Sequence, residues 1–172
     1  MNTNVQNSQN KADRSYLTFK LQDECFAVNV SNVLNILELT RITKVPQAPA
    51  YMKGVINLRG NVLPLIDTRI KFGMTETQYT YNTCILVLEL HLEKENIKIG
   101  ALVDSALEVI ELQENLILPP PNIGTPCKSS YIEGTAKVMD EFVTILNVEN
   151  IFSVDDVINL QEVTEQIKQA VQ

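Results

Sequence analysis

Apolar residues in this chain come in short runs that alternate with polar ones, and only the C-terminal segment repeats them at helical spacing. Leu17, Phe19 and Leu21 alternate with Tyr16, Thr18 and Lys20, and after a turn at 22–24 a second run covers 26–28. Further runs lie at 36–45, 55–58, 62–67, 83–92, 97–103, 109–112, 134–138 and 141–148, with turn residues such as Gly60 and Asp140 between them. Strands this short at close spacing are the rhythm of small β-barrels. A parallel sheet with crossover helices is excluded, because the long alternating helices it needs are missing.

Short helical pieces are predicted at 30–34 and at a proline-started turn at 49–53. The terminal segment 153–172 is predicted to form a longer helix, with Ser153 capping it and Asp156 three residues on. Val157, Leu160, Val163 or Thr164, Ile167 and Val171 form its apolar stripe, expected to dock on the body of the same chain. Residues 1–14 carry only Met1, Val5 and Ala12 as apolar side chains and are expected to be a disordered tail.

A duplication is visible without any reference sequence. A shift of 73 lays FAVNVSNVLNILEL (26–39) over IGALVDSALEVIEL (99–112), so that Val30, Leu34, Glu38 and Leu39 meet identical residues. A shift of 80 lays 51–72 over 131–152, where Tyr51, Gly54 and Phe72 recur as Tyr131, Gly134 and Phe152. Two similar β units are expected, about 16–80 and 83–152, packed on one another with a groove at their seam.

Chemistry-bearing residues are sparse. His91 is the only histidine and stands among charged residues, which favours a solvated imidazole over a catalytic base. Cys25, Cys84 and Cys127 lack metal-ligand spacing and suit ordinary thiols of a reducing compartment, so no metal and no cofactor is expected. No phosphate-binding, dinucleotide-binding or nucleophile-elbow motif occurs. The net charge of −7, without a cluster of Lys and Arg, argues against nucleic acid as a partner. No leader and no spanning segment is read from the sequence, so a cytoplasmic location without direct membrane insertion is expected.

The stretch PAYMKGVINLRGNVLPLIDTRIKF (49–72) closely resembles the signature of CheW-type coupling proteins. In that pattern a glycine leads into a strand, an N-L-R-G corner follows, then a V-x-P-h-h-D strand (h apolar) and a basic R-h-K-F ending. The likeness extends through Tyr16, Phe26, Val33 and residues 41–49, and more loosely through Ile99–Asp104 and Tyr131–Gly134, covering about 16–152. It implies a mainly β fold of two SH3-like five-stranded barrels packed together, with short helices and a C-terminal helix. It also implies a non-catalytic chemotaxis adaptor that couples the cytoplasmic tip of a chemoreceptor, a methyl-accepting chemotaxis protein, to the regulatory domain of the histidine kinase CheA. Other copies of the adaptor joining in rings, and recruitment to receptor arrays at the inner face of the membrane, belong to the same expectation. CheW-like scaffolds of gliding, twitching or second-messenger pathways are the alternative.

By position, the family's receptor groove maps onto Val33, Cys84, Ala106 and Val109, each of which also reads as plain core. Its kinase and adaptor network maps onto Asn35, Gly54, Asn57, Leu58, Arg59 and Gly60. Asn35 stands where the family normally holds a glutamate that pairs with the arginine, which leaves Arg59 free for a partner carboxylate. The plainer reading makes Arg59 and Gly60 a solvated turn, yet the matching corner in the second repeat, Met139 and Asp140, shows that the turn does not require arginine. Asp67 and Pro64 read as structural, Pro64 at an edge or irregular strand position.

Overall fold

The computed structural model describes residues 13–120 and 129–171. Its strands are β1 (Asp13–Leu21), β2 (Glu24–Asn29), β3 (Val33–Glu38), β4 (Met52–Leu58), β5 (Asn61–Asp67), β6 (Cys84–His91), β7 (Asn96–Val103), β8 (Ser105–Gln113), β9 (Ile132–Val138) and β10 (Glu141–Leu146). Two single-turn helices, α1 (Thr68–Lys71) and α2 (Val148–Ile151), precede the long α3 (Val154–Val171).

The strands form two five-stranded sheets, β8-β1-β2-β10-β9 and β3-β6-β7-β5-β4. The fold is mainly β, as the sequence predicts, but among the described residues no ladder closes either sheet into a full barrel. Isolated bridges instead tie the connection after each edge strand to the far edge: Thr43 to Val55 in the second sheet and Leu118 to Thr135 in the first.

The sheets divide the chain differently from its halves. The first repeat gives β1 and β2 to one sheet and β3, β4 and β5 to the other, and the second repeat does the reverse. The pairing registers keep the duplication. Ile145 of β10 lies parallel to Ala27 of β2, and their counterparts under the two shifts, Leu65 and Gly100, are likewise paired. Because each sheet mixes both repeats, neither 16–80 nor 83–152 completes its own sheet.

Alternation along the inner strands explains why they are almost continuously apolar. On β2, Cys25 and Ala27 face the interior of the first sheet, while Phe26 and Val28 face a central core. On β6, Ile85 and Val87 face the interior of the second sheet, while Leu86, Leu88 and Leu90 join the same central core. A strand buried on both faces has no polar side to show in its pattern.

Several local expectations are corrected. The piece at 30–34 is only a 3-10 turn over Val30–Asn32, held where Asn29 Oδ1 accepts from the Ser31 N–H at 2.9 Å. The strand expected at 36–45 begins earlier and stops at Glu38, because Glu38 pairs with Cys84, the first residue of β6. Pro64 lies on an internal strand rather than an edge. It is tolerated because the parallel ladder from β5 to β7 begins one residue later, at Leu65. Helices α1 and α2, one turn each, are too short to leave a periodic signal. Of the expected tail, residues 1–12 lie outside the described residues, as does Cys127, whereas Asp13 and Arg14 open β1.

The C-terminal helix meets its expectation most fully. The Ser153 N–H donates to Asp156 Oδ2 at 3.0 Å and the Asp156 N–H to Ser153 Oγ at 3.1 Å, a reciprocal capping box. Leu160 is 1% exposed, and Val157, Val163 and Ile167 pack on the central core; the side chain of Val171 lies outside the described residues.

Candidate functional site

Of the four residues assigned to the receptor groove, Cys84 and Ala106 come together, while Val33 pairs with Leu88, four residues further along β6. Cys84 opens β6, buried against the central core, with half-buried Val33 and Ala106 packed on the same cluster. Burial pushes the Cys84 thiol pKa up, opposed by a hydrogen bond with the Ala106 backbone, which puts the two residues in contact. Val109 lies three residues further along β8 and differs from them, being 60% exposed.

Its exposure is part of a pattern. Strands β3 and β8 are the edges of their sheets, and each leaves two large apolar side chains in solvent: Leu34 and Ile36 on one, Leu107 and Val109 on the other. The shift of 73 carries each pair onto the other. A fold that hides most of its apolar side chains yet keeps these four at two edges presents surface suited to another chain. Leu34, Ile36 and Leu107 were legible as equivalent positions in the duplication, but alternation alone could not say that they stay uncovered.

The second cluster is built on the corner between β4 and β5. Leu58 pairs with Asn61, leaving Arg59 and Gly60 as a two-residue turn with φ of 51° and 84°. Asn57 Oδ1 accepts from the Gly60 N–H at 2.9 Å and closes it. Two successive positive φ values are the mirror-image turn that matches strand twist and favours Asn or Gly. The corner between β9 and β10 repeats this geometry with Met139 and Asp140, at 48° and 68°. The turn therefore does not explain the arginine.

Among the described residues the Arg59 side chain has no hydrogen-bond or ion-pair partner. Asn35, the residue expected beside it, shares a groove with Arg59 but turns its Oδ1 to the Ile36 N–H at 2.8 Å. Gly54 belongs to the packing rather than the surface. It is buried with φ of +149°, and a Cβ there would overlap the Thr43 carbonyl. Gly134 meets Leu118 in the same way, so both glycines admit the bridge that ties the sheet edges.

The buried carboxylates are occupied structurally. Asp67, fully buried, caps α1 by accepting from the Arg69 N–H at 3.1 Å and accepts from the Thr77 hydroxyl at 2.7 Å. Asp104 accepts from Arg69 Nε at 2.9 Å and from the Gln22 N–H at 2.6 Å, joining the two sheets. Asp156 accepts from the Tyr51 hydroxyl at 2.9 Å and from Lys71 Nζ at 3.0 Å, which anchors α3. Partial burial pushes its pKa up, but the hydrogen bonds from the Ser153 N–H, Lys71 and Tyr51 outweigh it and hold the carboxyl at about 2. His91 is a surface residue, with Nδ1 3.9 Å from Glu89. Among the described residues no group of His, Cys, Asp and Glu could hold a metal ion. No described helix is long and apolar enough to cross a membrane.

Comparison with known proteins matches this arrangement to one family. A family model described as the CheW-like domain covers residues 15–166. A probable chemotaxis protein CheW of Rhizobium etli is 32% identical over 146 residues, spanning 85% of this chain and 92% of the relative. The chemotaxis protein CheW of Helicobacter pylori is 34% identical over 141 residues, spanning 81% and 82%. The crystal structure of the scaffolding protein TtCheW from Thermoanaerobacter tengcongensis superposes with a TM-score of 0.74 at 31% identity, covering 83% of this chain and 90% of that one. With its duplicated corners, its uncovered edge strands and these relatives over most of its length, the chain belongs to the CheW-like family of chemotaxis adaptors.

Proposed function

We propose that this chain is a non-catalytic adaptor that holds a chemoreceptor tip and the regulatory domain of the kinase CheA in one complex in the cytoplasm. The observation that carries this reading is the apolar surface left on β3 and β8 next to the buried contact of Cys84 with Ala106. Apolar side chains at a strand edge suit the inserted face of a helix, and a receptor tip is helical by the same family expectation. Arg59 supplies a separate polar contact for the kinase domain, since its own chain leaves it without a partner. Family membership supports both roles, and a relative described as a scaffolding protein supports the non-catalytic one.

The reading is tested by titrating receptor tip and kinase regulatory domain separately against Val109→Glu. Because Val109 is mostly exposed, the variant folds, while an unmatched carboxylate in an apolar contact costs about 2 kcal/mol or more of receptor binding. Loss of receptor binding with kinase-domain binding retained is expected. Unchanged receptor binding contradicts the assignment.

A further inference from the structure

The connection between α1 and β6, residues 73–83, is fastened at several points along its length. Buried Asp67 accepts from the Thr77 N–H at 3.1 Å and from the Thr77 hydroxyl at 2.7 Å. Lys53 lies 3.8 Å from Asp67 and also pairs with Glu76 of the connection. Gln22 Nε2 donates to Thr75 Oγ1 at 3.1 Å, which ties the connection to the turn between β1 and β2 in the other sheet. Its last residues form a closed turn. The Thr83 N–H donates to the Thr80 carbonyl at 3.2 Å, the Thr80 N–H to Thr83 Oγ1 at 2.8 Å and the Asn82 N–H to Thr80 Oγ1 at 3.1 Å.

The duplication shows that the fold does not demand this connection. The shift of 80 carries α1 onto α2 and Asp67 onto Asn147, but the second repeat then runs into α3. Asn147 Oδ1 is buried and, among the described residues, accepts no hydrogen bond. The carboxylate that fixes the connection is matched only in the repeat that has it.

What the fastened connection displays is Tyr81. Its side chain is wholly exposed, and among the described residues it meets no hydrogen-bond or ring partner. A tyrosine ring held out by a fixed turn offers a large contact area and loses little side-chain freedom when covered. Tyr81 stands three residues before Cys84, at most about 11 Å along the chain. Cys84 in turn touches Ala106 where the two sheets meet. The ring therefore flanks the receptor contact from the side of β6, as exposed Val109 flanks it from β8.

We propose that Tyr81 is a receptor-discriminating residue, its ring packing on an apolar side chain of the helical receptor tip next to the part seated at Cys84 and Ala106. The proposal rests on the adaptor reading and adds a contact outside the four residues assigned to the groove. The receptor tip is the occupant because the connection runs without a break into Cys84. Thr77 is a positioning residue, since its two bonds to Asp67 hold the backbone that presents the ring.

The test is titration of a chemoreceptor tip and of the kinase regulatory domain, separately, against wild type, Tyr81→Ala, Tyr81→Phe, Thr77→Val and the double variant Thr77→Val with Tyr81→Ala. Phe142→Ala on β10 removes an exposed aromatic ring from the other sheet and serves as the control. Tyr81→Ala is expected to melt like wild type and to weaken receptor binding roughly fivefold or more, with kinase-domain binding unchanged. Tyr81→Phe and Phe142→Ala are expected to stay within about twofold of wild type for the receptor, since the first keeps the ring and the second lies outside the contact. Thr77→Val is expected to weaken receptor binding alone but to add nothing to Tyr81→Ala, because a positioning residue acts only through the ring it positions. Tyr81→Ala binding the receptor as well as Phe142→Ala, or losing both partners equally, overturns the assignment of Tyr81. If Val109→Glu still loses the receptor, the adaptor reading survives that result. A Thr77→Val loss that persists beside Tyr81→Ala overturns the positioning role, and a wild-type chain that does not bind the receptor tip overturns the adaptor reading itself.

Discussion

The corner at Arg59-Gly60 and the corner at Met139-Asp140 are the same turn built twice, at equivalent places in two sheets, yet their surroundings differ. At the first, α3 lies across β5 and closes a groove that Arg59 lines. At the second, Met139 is 91% exposed and Phe142 is uncovered. What the corners share is what the fold requires: a two-residue turn at positive φ and, in the strand before it, a glycine that lets the preceding connection bridge the sheet edge. What only one of them has is available for function.

The comparison breaks most severely at the glycines. Gly54→Ala places a Cβ on the Thr43 carbonyl at a φ that L-residues avoid, so it is expected to destabilise by about 4 kcal/mol. Gly134→Ala meets the Leu118 carbonyl without the positive φ and is expected to cost less, about 2 kcal/mol. Urea unfolding of both variants measures the difference, and equal costs would show that backbone conformation contributes nothing at Gly54.

Next in size is the helix that only one corner possesses. Leu160→Ala empties a fully buried site and is expected to cost about 3 kcal/mol in denaturant unfolding. The polar anchor of the same helix is smaller and depends on pH. The Asp156 carboxyl is held at about 2 against 3.8 for a free aspartate, so its contribution is complete above pH about 4 and is lost as pH falls towards 2. After screening by solvent this amounts to about 1 kcal/mol. Asp156→Asn is expected to flatten that part of the stability curve, read from thermal melts between pH 2 and 6.

Much of this was legible in the sequence. The duplication, the strand rhythm and the Ser153–Asp156 cap each rest on local spacing, and the structure repeats them in its registers and hydrogen bonds. The exchange of strands between repeats was not legible, because an antiparallel pair has the same alternation whether its next neighbour comes from its own half or from the other. The groove was hidden for a related reason. Nothing in the sequence around Lys98 marks a groove, because α3, more than fifty residues later, is what is laid beside it. The assignment of Val33, Cys84 and Ala106 to a receptor groove rests on family position alone, and nothing in their alternation separates them from core.

The smallest expected effect on stability concerns Arg59. A positive φ costs a residue other than Gly or Asn about 1 kcal/mol, so Arg59→Asn is expected to melt at or slightly above the wild-type temperature. It is also expected to lose kinase-domain binding roughly tenfold. Met139→Asn at the twin corner is expected to match its gain in stability and leave binding unchanged. A loss of binding at Met139→Asn would show that the two corners are functionally alike.

The most direct test of the account is sedimentation of this chain mixed with a chemoreceptor tip and the CheA regulatory domain. The account predicts one species containing all three, because the receptor contact at Val109 on β8 and the corner at Arg59 belong to different sheets. Two binary complexes that compete, with no ternary species at any ratio, would contradict it.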